Sequence, residues 1–253
     1  LVIIVAVLLI SVSMIIGNYQ KYKLSETTLN EIKSLKMVAE LANLISKERA
    51  PANNVMSSTI EDLPQYRAEL KDYRQKVDQY LQATQHTLLD AGFDDIARCL
   101  NEEVKTALQQ GRSQVDQYSL IPLQQRNMHQ MDQAILGMYS AWDSNYIALK
   151  HLIKNSHGRD ANSSGDYYIS ILILADLRDQ AGRVASNIIP AIAFNQPIPQ
   201  ENLGRSLQTQ RQTQYLWKMV DVIQPEKRKS PRYNHLYQNV ETKFLRQGLP
   251  LVQ

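Results

Sequence analysis

The first 46 residues constrain this chain most, because an uncharged segment runs into an amphipathic helix with no turn signal between them. Residues 1–17 carry no charged side chain, and Lys21 is the first charged residue. At about 1.5 Å per residue, a helix of roughly 20 residues spans a hydrocarbon core of about 30 Å. Apolar side chains then recur at three- and four-residue steps, at Leu29, Ile32, Leu35, Val38, Leu41 and Ile45. We therefore predict one long helix in which residues 1–20 are a transmembrane segment.

A signal peptide is the alternative for residues 1–20, but no small-residue cleavage site of the A-x-A type comes after the apolar run. The chain opens on Leu1 instead of methionine, so we expect further residues upstream. The positive-inside rule needs that missing flank to fix the orientation of the segment in the membrane. The side on which the rest of the chain lies must therefore be inferred from the character of the residues after position 20.

The remainder of the chain also reads as helical. Glycine and proline are scarce, at nine each, and turn signals divide the chain into segments near 63–89, 94–118, 123–155, 167–194, 201–223 and from 232 onward. The order is a long helix, a helical pair and a long helix, then a loop at 157–165, after which the same order begins again. We predict an all-α domain over 21–253 with two halves, about 21–156 and 165–253. We expect the second half to be truncated before an eighth helix.

Two short stretches share an arginine followed four residues later by an asparagine. Arg49 and Asn53 lie near the end of the first long helix, and Arg183 and Asn187 lie in the second half. On a helix this spacing puts the guanidinium and the amide on one face, one turn apart. A proline accompanies each pair and is expected to disturb the local helix. Two such faces brought together could hold a small polar or anionic ligand.

The residues around Arg49 indicate that its guanidinium needs a partner, which could be the ligand. The residues one turn away are mostly apolar, and a guanidinium buried among them is costly unless it is paired or ligated. Its planar fork of donors suits a carboxylate or nitrate. The alternative is a buried ion pair without a ligand. In that case Arg49 would pair with Glu48 or a carboxylate of the second helix, and Arg183 would pair with Asp179.

Residues 48–53 (ERAPAN) resemble the ERG(P)-type motif of nitrate- and nitrite-sensing (NIT-like) helical ectodomains, and residues 177–183 (LRDQAGR) are similar to a second stretch found in such ectodomains. These ectodomains belong to bacterial membrane-bound diguanylate cyclases and histidine kinases. The resemblance implies a duplicated pair of stacked four-helix bundles in which an arginine from the first helix and one from the fifth hold an anion. By motif the first is Arg49. The second is Arg183 by the internal echo, with Arg178 as the alternative.

Several other functions are disfavoured by what the sequence lacks. Cys99 is the only cysteine and the five histidines show no HxxxH or HExxH spacing, so we predict neither a metal site nor a cofactor. No Ser/His/Asp set, Cys/His set or phosphate-binding loop appears, so we predict no enzyme within these residues. The net charge of +3 is spread along the chain, which gives no argument for nucleic acid.

Taken with these patterns, the resemblance to NIT-like ectodomains implies the extracytoplasmic sensor domain of a bacterial inner-membrane receptor, with the helical domain in the periplasm. A small anion, nitrate-like or a carboxylate, would bind between the halves and shift the membrane helix. The signal would reach a cytoplasmic output module absent from this sequence, such as a diguanylate cyclase or a histidine kinase. A heptad row at Tyr66, Tyr73 and Tyr80 predicts a packing face that could form the seam of a homodimer. The alternative is a membrane-anchored helical scaffold whose arginines form ion pairs.

Overall fold

The computed structural model describes the backbone of residues 2–58, 62–156, 165–223 and 230–252, and the side chains of 14–58, 62–156, 167–223 and 230–250. Within these ranges every regular element is a helix, as the sequence predicts, and there is no strand. Most of the predicted loop at 157–165 and of the basic turn at 225–231 lies outside the described residues. The fold is therefore all-α over the part of the chain that can be described.

The first helix, α1, runs without interruption over Val2–Ser57, about 84 Å at 1.5 Å per residue. Pro51 lies inside α1 without ending it, because a proline removes only one donor from the helical ladder. Among the described residues, no helix is both long enough and apolar enough to cross a membrane. The side chains of residues 1–13, which make up most of the predicted transmembrane segment, lie outside the described set.

Most of the later helices begin and end close to the predicted positions, but the helix predicted over 123–155 begins only at Met128. They are α2 (Leu63–Asp90), α3 (Asp94–Cys99), α4 (Lys105–Leu120), α5 (Met128–Ser156), α6 (Gly165–Ser186), α7 (Ile189–Ala193), α8 (Gln200–Ile223) and α9 (Pro231–Asn239). A π-helical turn at Leu100–Val104 joins α3 to α4 without a break, a 3₁₀ turn at Leu123–Gln125 precedes α5, and α9 continues through a π-helical stretch (Val240–Gly248) into a 3₁₀ turn (Leu249–Val252).

One predicted helix is divided in two. The segment predicted as a single helix over 167–194 ends at Ser186 and resumes as the short α7 at Ile189. Pro190 lies in the first turn of α7, where the missing N–H would have had no helical partner in any case. Pro190 therefore lies at the start of a new helix, whereas Pro51 lies within α1 and does not end it.

The core lies between α1, α2, α4 and α5. Helix α1 packs against α2 and α5, and α4 packs against α5. The predicted apolar stripe of α1 is buried from Leu35 through Ile45, but Leu29 is 66% exposed, so the stripe enters the core later than its pattern indicates. Tyr66 and Tyr80 of the heptad row lie partly buried against the core clusters, which supports the packing-face interpretation of that row. The second half joins this core through α6, which packs against α1, α5 and α8.

Two glycines lie where α4 passes close to α5, and their surroundings predict opposite mutational effects. A Cβ at Gly111 would lie 2.9 Å from the backbone carbonyl oxygen of Gly137, whereas one at Gly137 would meet the side chain of the exposed Gln114. The backbone of α5 at Gly137 cannot move aside easily for the added methyl group. We therefore expect Gly111→Ala to lower the free energy of unfolding by about 1–3 kcal/mol. The Gln114 side chain can rotate away, and the helix gains up to about 1 kcal/mol when glycine becomes alanine, so Gly137→Ala should be neutral or stabilising. Urea denaturation of both variants checks this, and equal losses would contradict it.

Candidate functional site

A buried pair of opposite charges ties α1 to α6. Arg49 Nη1 lies 2.6 Å from Asp179 Oδ1, and only 3% and 0% of the two side chains are exposed. Arg49 Nη2 also donates to the Ser46 hydroxyl at 2.9 Å and to the backbone carbonyl of Asp179 at 3.3 Å. The 2.6 Å contact is an ion pair whose alignment does not meet the geometry of a hydrogen bond, and its attraction is strong because little water reaches it. The arginine of the first motif is therefore anchored to the second half of the chain.

The same carboxylate also holds the arginine of the second motif. Arg183 Nε donates to Asp179 Oδ2 at 2.5 Å, and Arg183 Nη2 donates to Asp143 of α5, whose side chain is 52% exposed. Burial disfavours the charged form of Arg183, but Asp179 and Asp143 outweigh that effect and raise its pKa above the ordinary value. Asp179 thus lies between two guanidinium groups, with one oxygen facing each.

These pairs confirm one part of the ion-pair alternative and correct another. Arg183 does pair with Asp179, one turn earlier on the same helix. Arg49 pairs with neither Glu48 nor a carboxylate of α2, because its side chain leaves α1 toward α6. Glu48 faces the opposite way, where its two carboxylate oxygens each accept a hydrogen bond of 2.8 Å from Arg112 of α4.

An aromatic ring of α5 lies beneath both arginines. The centroid of the Tyr139 ring is 5.1 Å from Arg49 Cζ and 4.3 Å from Arg183 Cζ, distances typical of cation–π contacts. Burial raises the pKa of Tyr139 to about 12, although the two arginines act in the opposite direction. The hydroxyl therefore keeps its proton at neutral pH and donates to Asn187 Oδ1 at 3.0 Å.

The two predicted asparagines lie beside this cluster and join neighbouring elements. Asn53 Nδ2 donates to the hydroxyl of Ser186 at 3.2 Å, and its Oδ1 has no hydrogen-bond partner among the described residues. Asn187 accepts from Tyr139 and donates to Thr209 of α8 at 3.4 Å. Both asparagines are buried, at 3% and 2% exposure. The structure therefore brings both Arg-x-x-x-Asn motifs together, as predicted, with the arginines on the carboxylate and the asparagines on polar neighbours.

Arg178, the alternative second arginine, has different surroundings. It is exposed, and Nη1 lies 3.4 Å from the Ser46 hydroxyl that Arg49 also contacts. No carboxylate of the described residues forms an ion pair with it. Burial of part of the side chain lowers the pKa of Arg178, the adjacent charge of Arg49 lowers it further, and Asp179 partly offsets both.

Gly182 explains how α6 comes close enough to α1 for these contacts. A Cβ at this position would lie 2.8 Å from Arg49 Nη2 and 3.3 Å from Arg178 Nη1. Any side chain there would push the two guanidinium groups aside. The glycine of the LRDQAGR stretch is therefore a packing requirement of the charged cluster.

Sequence reasoning missed three members of the cluster as site residues. The sequence suggests Asp179 only as the partner of Arg183, whereas Asp179 also pairs with Arg49 across two helices. Tyr139 and Asp143 come from α5, which carries no motif that points to the arginines. An i, i+4 pattern on one helix does reveal the spacing from Tyr139 to Asp143, but nothing in the sequence says which helix that face meets.

Two other kinds of site, a metal site and a reactive cysteine, can be compared with the described residues. No group of three or more His, Cys, Asp or Glu side chains is placed to hold a metal ion there. Cys99 is half-buried, and burial with the adjacent Glu103 raises the pKa of its thiol to about 11. The thiol therefore stays protonated and unreactive at neutral pH.

Comparisons of the chain with protein-family models, with curated proteins and with solved structures give no match. The resemblance to NIT-like ectodomains rests on the two short motifs alone. The charged cluster is therefore the feature of this protein that bears most directly on its function.

Proposed function

We propose that this chain is the ligand-sensing part of a bacterial transmembrane receptor that responds to a small anion. The observation that supports this proposal most is the position of one carboxylate, Asp179, between Arg49 and Arg183. A guanidinium offers the same donors to any planar anion that it offers to Asp179, so a nitrate-like or carboxylate ligand competes for the same groups. Asp179 is then an internal competitor that the ligand weakens or replaces.

The proposed signal is a movement of α1 relative to α6. Arg49 belongs to α1 and Asp179 to α6, so loss of their contact changes the relative energies of two packing arrangements of these helices. Helix α1 continues without a break from Arg49 toward the N-terminus, and a shift of about 1–2 Å would pass along it as a rigid element. The ligand shifts the arrangement only as far as it binds one state better than the other.

The setting of this receptor comes from the sequence predictions. Residues 1–20 would cross the inner membrane, and residues 21–253 would lie in the periplasm as two stacked four-helix bundles related by duplication. Two copies would form a homodimer, and a cytoplasmic output module outside this sequence, a diguanylate cyclase or a histidine kinase, would receive the signal. We propose no catalytic role for the residues of this chain.

A membrane-anchored scaffold is the second candidate, and one observation favours it. Arg49 and Arg183 are balanced by Asp179 and Asp143, so this part of the cluster is electrically complete without a ligand. In a scaffold the four residues only hold α1, α5 and α6 together. Small anions would then act on the protein no differently from chloride.

An anion screen on the whole chain separates the two candidates. Nitrate, nitrite, acetate and hexanoate are compared with chloride at equal ionic strength, in wild type and in Arg49→Lys, which keeps the charge but loses the planar fork. A sensor should gain about 2.7 kcal/mol of unfolding free energy with its anion at 100 times the dissociation constant, and less in Arg49→Lys. If no anion exceeds chloride, the sensor proposal is wrong.

Movement of α1 is measured separately by cross-linking between copies in membranes. Leu29 is 66% exposed on α1, so Leu29→Cys in a Cys99→Ser background places one thiol on its surface. The sensor proposal expects the anion that stabilises the protein to change the rate of disulfide formation. An unchanged rate for every anion would leave the scaffold as the better description.

A further inference from the structure

A groove of about 350 Å³ lies between α1 and α6, beside the charged cluster. Its floor and walls are largely apolar and include Ala39 of α1 and Ile171, Leu174 and Ala175 of α6. The groove extends from Tyr167 to Arg178, about 16 Å along α6 at 1.5 Å per residue. Its volume falls within the range of about 300–1,000 Å³ that is usual for small-molecule sites.

One end of this groove carries an unbalanced positive charge. Arg49, Arg178 and Arg183 lie together where α1 meets α6, and Asp179 and Asp143 are the only described carboxylates that pair with them. The surplus charge resides on Arg178, which forms no ion pair with any described carboxylate. Asp176, also on α6, is engaged elsewhere, because it accepts hydrogen bonds from Gln180 and from Gln212 of α8.

The other polar side chains of the groove leave this surplus in place. Glu40 contributes a carboxylate that accepts hydrogen bonds from Asn43, and Lys36 stands one turn before Glu40 on α1. Their opposite charges balance, so the net charge of the lining remains that of Arg178. An apolar channel that ends at one guanidinium matches a molecule with an apolar body and a single carboxylate.

We propose that this groove binds an amphiphilic carboxylate, with its apolar body along α6 and its carboxylate at Arg178. This proposal adds a ligand class and a place of binding to the proposed function. Its consequence for signalling rests on that proposed function. The Ser46 hydroxyl lies 2.9 Å from Arg49 Nη2 and 3.4 Å from Arg178 Nη1, so the two guanidinium groups are neighbours. A carboxylate at Arg178 therefore also attracts Arg49 and weakens its hold on Asp179.

The matched probes are hexanoate, hexanol and acetate. Hexanol keeps the apolar chain without the charge, and acetate keeps the charge without most of the chain. Hydrogen exchange of the whole chain locates binding, since α1 near residues 36–43 and α6 near residues 171–178 border the groove. Some amides in these two segments exchange only after the ligand has dissociated. With hexanoate at 100 times its dissociation constant, hydrogen exchange of those amides should slow by up to about 100-fold.

Three variants make the test specific. Arg178→Gln removes the surplus charge without breaking an ion pair, and should abolish the hexanoate effect while the protein stays folded. Ala175→Leu fills the groove and should weaken binding with the charge intact. Arg211→Gln removes another exposed arginine, on α8, and should leave hexanoate binding unchanged.

The outcomes distinguish this site from the function that it would serve. Equal protection by hexanol, or full protection by hexanoate in Arg178→Gln, would overturn the carboxylate site. Protection that depends on Arg178 without any change in cross-linking at Leu29→Cys would support the site and refute the sensor. A change in cross-linking with nitrate, together with no binding of hexanoate, would support the sensor and overturn this site.

Discussion

Replacement of Asp179 by asparagine is expected to lower the free energy of unfolding by about 3–5 kcal/mol. Asparagine has nearly the same shape, so little packing is lost, but the carboxylate that Arg49 and Arg183 share disappears. The Arg49 side chain is only 3% exposed, and water cannot take the place of the missing charge. The loss is therefore the cost of an uncompensated buried cation, which exceeds the worth of an ordinary hydrogen bond.

Asp143→Asn is the matched control for this variant. Asp143 also pairs with Arg183, but its side chain is 52% exposed and solvent can replace it. We expect a loss of about 1 kcal/mol or less, as for other exposed ion pairs. Urea denaturation followed by circular dichroism measures both variants, and a loss for Asp179→Asn no larger than for Asp143→Asn would contradict the buried network.

The same variant bears on the proposed function. Without Asp179, Arg49 has no carboxylate partner among the described residues and Arg183 keeps only the half-exposed Asp143. If the cluster can accept an external anion, nitrate should restore part of the lost stability of Asp179→Asn beyond the effect of chloride at equal ionic strength. A purely structural cluster predicts the same stability in both salts.

Replacement of Glu48 by glutamine should cost a similar amount, about 3–5 kcal/mol, for an analogous reason at a different interface. The Glu48 side chain is 2% exposed, accepts two hydrogen bonds of 2.8 Å from Arg112, and lies 3.7 Å from Arg74 of α2. Burial disfavours the charge of Arg112, whereas Glu48 and Asp78 raise its pKa above the ordinary value. Glutamine would leave Arg112 without its buried carboxylate.

Asp78→Asn provides the comparison, because Asp78 pairs with the other side of the same Arg112 guanidinium. The Asp78 side chain is 58% exposed, so its loss should cost about 1 kcal/mol or less. The same denaturation experiment applies. If Asp78→Asn lowers the free energy of unfolding as much as Glu48→Gln does, burial does not govern the strength of these ion pairs. The large loss expected for Asp179→Asn would then also be in doubt.

The helices illustrate how far local sequence reaches. The bounds of α2 and α8 agree with prediction to within one residue, because proline and glycine signals and the apolar period act over only a few residues. The sequence prediction failed where the outcome depends on contacts between helices that are far apart along the chain. Leu29 continues the apolar stripe of α1 but is 66% exposed, since whether a stripe is buried depends on a partner helix that reaches it.

The charged cluster shows the same division. The Arg-x-x-x-Asn spacing places each arginine on one face of its helix with an asparagine, because helical geometry fixes which side chains share a face. The repetition of that spacing suggested that the two faces meet, and Arg49 and Arg183 do both contact Asp179. It could not show that Asp179 would lie between them, or that Tyr139 would lie beneath both. Those contacts join α1, α5 and α6, which are far apart along the chain.

The sequence by itself thus determined that the chain is helical, where most helices begin and end, and which side chains share a helix face with each arginine. Only the tertiary structure decided which carboxylate each arginine meets. A guanidinium on a flexible side chain can reach several candidates, and its choice depends on which of them is buried alongside it. For Arg49, the close approach of α6 at Gly182 brings Asp179 within reach, whereas Glu48, its neighbour on α1, faces Arg112.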